Sequence, residues 1–275
     1  MLQKLSVSEK YRTDSLENRI MHETDALLCL EVFPDQAKKR KADDLAKILA
    51  EDIVEIPETK METSLDKYNC AAVLSKAAYV LPGWERAEDA RLIAERYFKE
   101  AESLNETDAE PVASRLWAAA ELYRLTGQKT YRSVVDAIAM DVIPEGFSYE
   151  EPGFYGLFAY LMAPFPTNYN VCTNMMSIVF SEANDLIKGS MESEFSGRRI
   201  DSETAKADSK SGKRMMDEAF LVTMTNYVSV SVEYKAFVQN RLSYIFGANL
   251  SGEDLTEDDN VLADSPKLFV LIGLI

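Results

Sequence analysis

At 275 residues, with 47% hydrophobic and 28% charged side chains, the chain has apolar material for a substantial core, which excludes disorder over most of its length. A formal net charge of -16 excludes a nucleic-acid partner, because phosphate contacts need clustered Lys and Arg and this surface repels a polyanion. No apolar stretch follows Met1-Leu2-Gln3-Lys4 and no run is long enough to span a bilayer, so the sequence as written reads as soluble, without a membrane partner or an export signal.

Cys29, Cys70 and Cys172 are odd in number, far apart and free of C-x-x-C spacing, so they read as buried thiols rather than a zinc site or a disulfide framework. His22 is the single histidine, which leaves no second imidazole for a metal and weakens every Ser-His or Cys-His catalytic arrangement. No cofactor is expected.

Helical spacing recurs from end to end. Apolar positions from Met21 to Val32 form the first stripe, and the basic stretch Lys38 to Lys41 leads into a second through Leu45, Ile48, Leu49 and Ile53, closed by Pro57. A third helix runs from about Thr63 through Ala71, Leu74, Ala78 and Leu81 to Pro82-Gly83, one residue that cannot continue a helix and one that tolerates positive φ. Its partner spans Glu85 to about Leu104. Thr107 or Asp108 is expected to cap the next helix, with Glu110 and Pro111 in a first turn whose amides lack intrahelical partners. That helix carries Leu116, Ala119, Ala120 and Tyr123 and ends at Gly127. Further helices are predicted over Thr130–Met140, Glu150–Leu161, Asn174–Ile187, Met215–Tyr227 and Val230–Phe246, with a last apolar segment over Leu268–Ile275. Glu192 to Lys213 is polar and aperiodic and is expected to be a mobile loop; Ser251 to Asp264 is acidic and also expected to be a loop. Helices joined by short Gly or Pro turns are antiparallel neighbours, so the fold class is all-α, a chain of helical hairpins.

Several phrases in this pattern are similar to one family. Asn240-Arg241-Leu242-Ser243-Tyr244-Ile245-Phe246-Gly247-Ala248-Asn249-Leu250-Ser251-Gly252 resembles the "Leu-Asp-Tyr-Ile-Leu-Gly-Arg-Asn-Pro-Leu-Gly" signature of family 9 glycoside hydrolases. Arg115-Leu116-Trp117-Ala118-Ala119-Ala120-Glu121-Leu122-Tyr123-Arg124-Leu125-Thr126-Gly127, continuing to Tyr131, resembles that family's "Leu-Trp-Ala-Ala-Ala-Glu-Leu-Tyr-x-x-Thr-Gly-x-x-x-Tyr" and is the closest of the matches. Cys70-Ala71-Ala72-Val73-Leu74-Ser75-Lys76-Ala77-Ala78 and Phe147-Ser148-Tyr149-Glu150-Glu151-Pro152-Gly153 add weaker matches in the family's order. The resemblance covers about residue 63 to the C-terminus and residues 1–62 only loosely. It implies a six-hairpin (α/α)6-like barrel over 1–275, possibly incomplete, whose inner helices line a cleft for β-linked glucan or oligosaccharide.

Inverting hydrolysis needs a carboxylate that activates water and a protonated carboxyl group across the bond, roughly 6.5 to 9.5 Å apart. In the family the base lies in an Asp-Ala-Gly-Asp motif, which this sequence does not contain, as though the chain began after it. The family's His-His-Arg loop is missing between Gly252 and Glu257, and Val261 follows Asn260 where an Asn-Glu-Val-Ala phrase would place the acid. No catalytic residue is assigned. Glu257 is a weak substitute, since an acidic solvated run lacks the burial that raises a carboxyl pKa. Adjacent carboxylates such as Glu150-Glu151 do not share a helix face and read as N-terminal charges. Tyr149, Tyr155 and Tyr169 flank or enter a predicted inner helix and are the candidates for stacking on sugar rings, while Trp117 reads first as core.

The sequence therefore points to a cellulase-like domain that has lost hydrolysis and retains glucan binding. Two other readings stand beside it. One is a non-catalytic scaffold that meets a protein partner through its acidic face or the Glu192 to Lys213 loop; the other is an active glycosidase with relocated carboxylates.

Overall fold

The computed structural model describes residues 15–35, 42–81, 83–104, 111–142, 152–191, 209–228 and 230–248, together with Asp254, Lys267 and Leu271. Among them the helices are α1 (Leu16–Val32), α2 (Ala42–Val54), α3 (Ser64–Val80), α4 (Ala87–Ala101), α5 (Val112–Thr126), α6 (Lys129–Val142), α7 (Pro152–Leu161), α8 (Tyr169–Met191), α9 (Ser209–Val228) and α10 (Val232–Ile245), with a 3-10 turn at Glu58–Lys60. The only β pairing among the described residues is one antiparallel bridge between Phe246 and Asp254. The all-α fold class follows. The chain forms two compact units, one of Met1–Glu31 and Lys41–Met175, the other of Val32–Arg40 and Met176–Ile275.

In the first unit the helices alternate between two kinds. On α3 the residues from Cys70 to Ala77 are all buried, on α5 those from Leu116 to Arg124, and on α7 those from Gly153 to Tyr160. A helix buried on every side needs neighbours all round. By contrast α4 buries one stripe, Ala90, Ala94, Tyr97, Phe98 and Ala101, and α6 buries Val135, Ala139 and Val142. These two are outer helices with a solvent face. α3 packs on α4 and α5, and α5 packs on α6 and α7.

Short turns follow the fully buried helices. Gly83 links α3 to α4 with φ 72°, and Gly127 ends α5 with φ 69°, its amide donating to the Tyr123 carbonyl at 2.8 Å. The left-handed region suits glycine because a Cβ would strain the backbone there. α3 opens on a side-chain N-cap: the Thr63 hydroxyl accepts from the Asp66 amide at 3.1 Å and donates to the Asp66 carboxylate at 2.7 Å. At one crossing glycine is required by proximity. A Cβ on Gly156 of α7 would lie 2.8 Å from the Trp117 backbone of α5.

In the second unit α9 and α10 pack as a hairpin. The Ser231 hydroxyl caps α10 by accepting from the Glu233 amide at 3.2 Å, and the Asn226 side chain accepts from the Ser231 amide at 2.9 Å.

Several predicted boundaries move. The Thr107 or Asp108 cap falls outside the described residues, and the helix begins at Val112 with Pro111 in the cap position and no side-chain cap bond, so Pro111 is not inside the first turn. Residues 209–213, expected within a loop, form the first turns of α9, while 192–208 lie outside the described residues. Ser, Lys and Gly composition misleads there because propensity is a weak prior once a buried face such as Met215, Met216, Ala219 and Phe220 propagates the helix. α8 extends beyond the predicted Asn174–Ile187 at both ends. Of the loop Ser251–Asp264 and the segment Leu268–Ile275, only Asp254 and Leu271 are described.

Candidate functional site

The polar groups of the first unit converge on its buried helices. Glu31 comes from the last turn of α1, Lys76 from α3, and Glu121 and Arg124 from α5. The Lys76 ammonium donates to Glu31 at 2.6 Å and to Glu121 at 3.4 Å; Arg124 pairs with Glu121 at 2.5 Å and donates to Glu31. All four side chains are at most 9% exposed. Two cations meeting two carboxylates make a neutral cluster, and that balance is what allows it to sit away from water. Burial pushes the Glu31 carboxyl up, but Lys76 and Arg124 outweigh it and hold it below the usual value. Burial pulls Arg124 down, and Glu121 and Glu31 more than restore it. Tyr79, 41% exposed, covers the cluster with its ring centroid 4.4 Å from the Arg124 guanidinium.

A further buried carboxyl group stands outside this cluster. Glu23 on α1 is fully buried, neither of its carboxyl oxygens has a hydrogen-bond partner, and burial pushes its pKa well above the ordinary value. In the second unit Glu218 receives Arg241 at 3.0 Å and Arg214 at 3.3 Å, and Asp217 receives Lys267 at 3.0 Å. Apart from Glu23, these buried carboxylates are neutralised by cations. Sequence reading missed these groups; the available signal was a charge embedded in an otherwise apolar stretch, as with Lys76 among alanines and Glu121 one turn before Arg124.

The aromatic candidates separate. Tyr155 is 7% exposed, its ring 5.3 Å from that of Trp117, which is itself buried. Tyr169 opens α8 and is 79% exposed. Between them runs a fixed connection: the Tyr160 hydroxyl donates to Asp136 at 2.6 Å and accepts from the Asn168 amide at 2.9 Å, and the Tyr123 hydroxyl donates to the Pro166 carbonyl at 2.7 Å. The Asn168 side chain accepts from the Asn170 amide at 3.0 Å. Tyr169 is thus an exposed ring on an anchored backbone. Tyr149 and Glu257 lie outside the described residues. After α10, Gly247 adopts φ 100° and Asp254 pairs back on Phe246. Among the described residues no group of three or more His, Cys, Asp or Glu could hold a metal ion, and no helix is long and apolar enough to cross a membrane.

The sequence profile of "Glycosyl hydrolase family 9" matches residues 50–253. Among solved structures the chain is similar to AaCel9A in complex with cellobiose-like isofagomine, at 17% identity and a TM-score of 0.72, covering 88% of this chain and 57% of that one. It is also similar to a metagenome-derived glycoside hydrolase family 9 endoglucanase, at 14% identity and a TM-score of 0.69 over 87% of this chain and 54% of that one. A family 9 protein from Bacteroides ovatus matches at 15% identity and a TM-score of 0.64, over 86% and 55% respectively. The chain spans a little over half the length of these structures. Among curated proteins nothing matches it. The structural likeness carries the shared helical-hairpin fold, the profile match carries the kinship, and on the latter the chain belongs to glycosyl hydrolase family 9.

Proposed function

We propose that this chain binds β-linked glucan without hydrolysing it. The observation that carries the reading is the path after α10: Gly247 turns the chain and Asp254 returns to pair with Phe246, in the stretch where the resembled family carries its His-His-Arg loop. The sequence then passes from Asn260 directly to Val261, without the acid Glu. The buried, cation-paired carboxylates Glu31, Glu121, Asp217 and Glu218 do not replace it, since a general acid must hold a transferable proton within reach of the glycosidic oxygen. Glu23 favours its protonated form but is sealed from solvent.

Binding needs less than catalysis does. An exposed aromatic face on a fixed backbone stacks on a pyranose, and Tyr169 offers one, with Tyr149 as the second ring contact of the proposal; Tyr155, expected as a third, is 7% exposed against Trp117 and has no free face to offer. The glucan assignment is supported by family membership and by the AaCel9A structure, which is in complex with cellobiose-like isofagomine. The test is depletion of the folded chain from solution by amorphous cellulose. Retention that Tyr169→Ala weakens by about three- to tenfold, the size of one aromatic contact, supports the reading. No retention supports the protein-scaffold reading instead. Release of reducing sugar supports relocated carboxylates.

A further inference from the structure

The connection from α7 to α8 is held by hydroxyl groups of the buried helices α5 and α7. Pro164 and Pro166 fix φ at two of its positions, so few further contacts are needed to order it. The Tyr123 hydroxyl of α5 donates to the Pro166 carbonyl at 2.7 Å, and Phe165 lies against Gly127, where an added Cβ would come within 2.9 Å of its ring. Two residues on, the Tyr160 hydroxyl of α7 accepts from the Asn168 amide at 2.9 Å. Asn168 caps α8: its carbonyl accepts from the Cys172 amide at 3.1 Å and its side chain from the Asn170 amide at 3.0 Å. The next residue is Tyr169, 79% exposed.

A phenylalanine at 160 would fill the same space but could not hold this amide. The Tyr160 ring is buried beside Tyr123, centroids 5.9 Å apart, and its hydroxyl serves two groups at once. The hydroxyl proton is donated to Asp136 of α6 at 2.6 Å, which leaves an oxygen lone pair to receive the Asn168 amide. Burial, then the bond to Asp136, pushes the phenol pKa above its ordinary value, so the proton stays on the phenol. Asp136 is set in turn by Arg132, one turn earlier, at 3.3 Å. This run of contacts begins on α6, passes through α7 and ends on the amide that precedes the exposed ring. A ring already ordered loses less freedom on meeting a ligand than one carried by a loose backbone.

We infer that Tyr160 is a positioning residue for Tyr169, strengthening ligand binding through the backbone that carries the exposed ring while touching no ligand itself. That the ligand is a β-linked glucan rests on the proposed function; the ordering of Tyr169 by Tyr160 rests on these contacts alone. The test is Tyr160→Phe in the full chain, which keeps the packed ring and leaves Asp136 its Arg132 partner, so the fold is retained. Hydrogen exchange followed by NMR should show the Asn168 amide exchanging at least about tenfold faster in the variant, with the amides inside α5 at the parent rate. Retention on amorphous cellulose should weaken by about two- to tenfold, no further than Tyr169→Ala weakens it, and not at all when Tyr160→Phe is added to Tyr169→Ala. Equal weakening with and without the Tyr169 ring overturns the inference, because the effect is then one of general stability. Unchanged exchange at Asn168 overturns it as well, and so does faster exchange with undiminished retention. Should Tyr160→Phe fail to fold, Asp136→Ala at a half-buried position releases the phenol instead and is read by the same outcomes. A parent that cellulose does not retain overturns the glucan function, and exchange at Asn168 then decides by itself whether Tyr160 orders the ring.

Discussion

The Lys76 ammonium on α3 lies 2.6 Å from the Glu31 carboxylate on α1, joining helices 45 residues apart in sequence through a contact with little access to water. Removing one partner leaves the other charge buried, a larger penalty than the pair's net contribution. Lys76→Met leaves Arg124 alone against Glu31 and Glu121 and is expected to destabilise the fold by roughly 3–5 kcal/mol in denaturant unfolding at neutral pH. Glu31 has its folded pKa below its unfolded value, so its stabilisation is present above the unfolded value and is lost as pH falls through the folded one. The parent should therefore lose its advantage over Lys76→Met in acid. An advantage independent of pH would show that the cluster acts by packing and not by charge.

Glu23 has the opposite sign. Its folded pKa is raised by burial, so the folded state holds a proton that the unfolded chain releases, and stability falls as pH rises from the unfolded value toward the folded one. Glu23→Gln keeps the shape and removes the titration. The difference in unfolding free energy between parent and Glu23→Gln should shift in favour of the variant as pH rises through that window. A difference constant from acid to neutral pH would mean that Glu23 is not sealed as described.

The contact between α5 and α7 makes two substitutions diverge. Gly156→Ala drives a Cβ to 2.8 Å from the Trp117 backbone, where no side chain can yield, and should cost about 3 kcal/mol or more, the upper end for overpacking. Trp117→Ala should cost roughly 3–5 kcal/mol by cavity formation, since the ring is 2% exposed. At Gly83 nothing lies within 4 Å of an added Cβ, so Gly83→Ala carries only the backbone strain of φ 72°, about 1–2 kcal/mol. Equal thermal shifts for Gly156→Ala and Gly83→Ala would contradict the crossing.

What could be read from the sequence was what local periodicity carries. The stripes of α4 and α6 and the glycine stops at Gly83 and Gly127 are local signals, and the Leu116 to Tyr123 helix announced both its burial and the family. The charged cluster was not legible, because Glu31, Lys76 and Arg124 meet only after three helices have packed. Tyr155 and Tyr169 looked alike as turn-flanking aromatics, yet one packs on Trp117 and the other is exposed, a distinction made by the Gly156 crossing and the anchored Asn168 connection. Polar composition hid the start of α9 for the same reason that it usually misleads: tertiary burial overrides propensity.

The most direct test of the account measures reducing-sugar release from cello-oligosaccharides by protein shown to be helical and cooperatively folded, alongside its retention on amorphous cellulose. Loss of a catalytic carboxylate removes a proton transfer worth about 10²- to 10⁴-fold in rate, so retention with no release above background is the predicted result. Turnover abolished by Glu257→Gln would contradict the account and identify a relocated acid. Turnover indifferent to that substitution would contradict it equally and place the chemistry on another carboxylate.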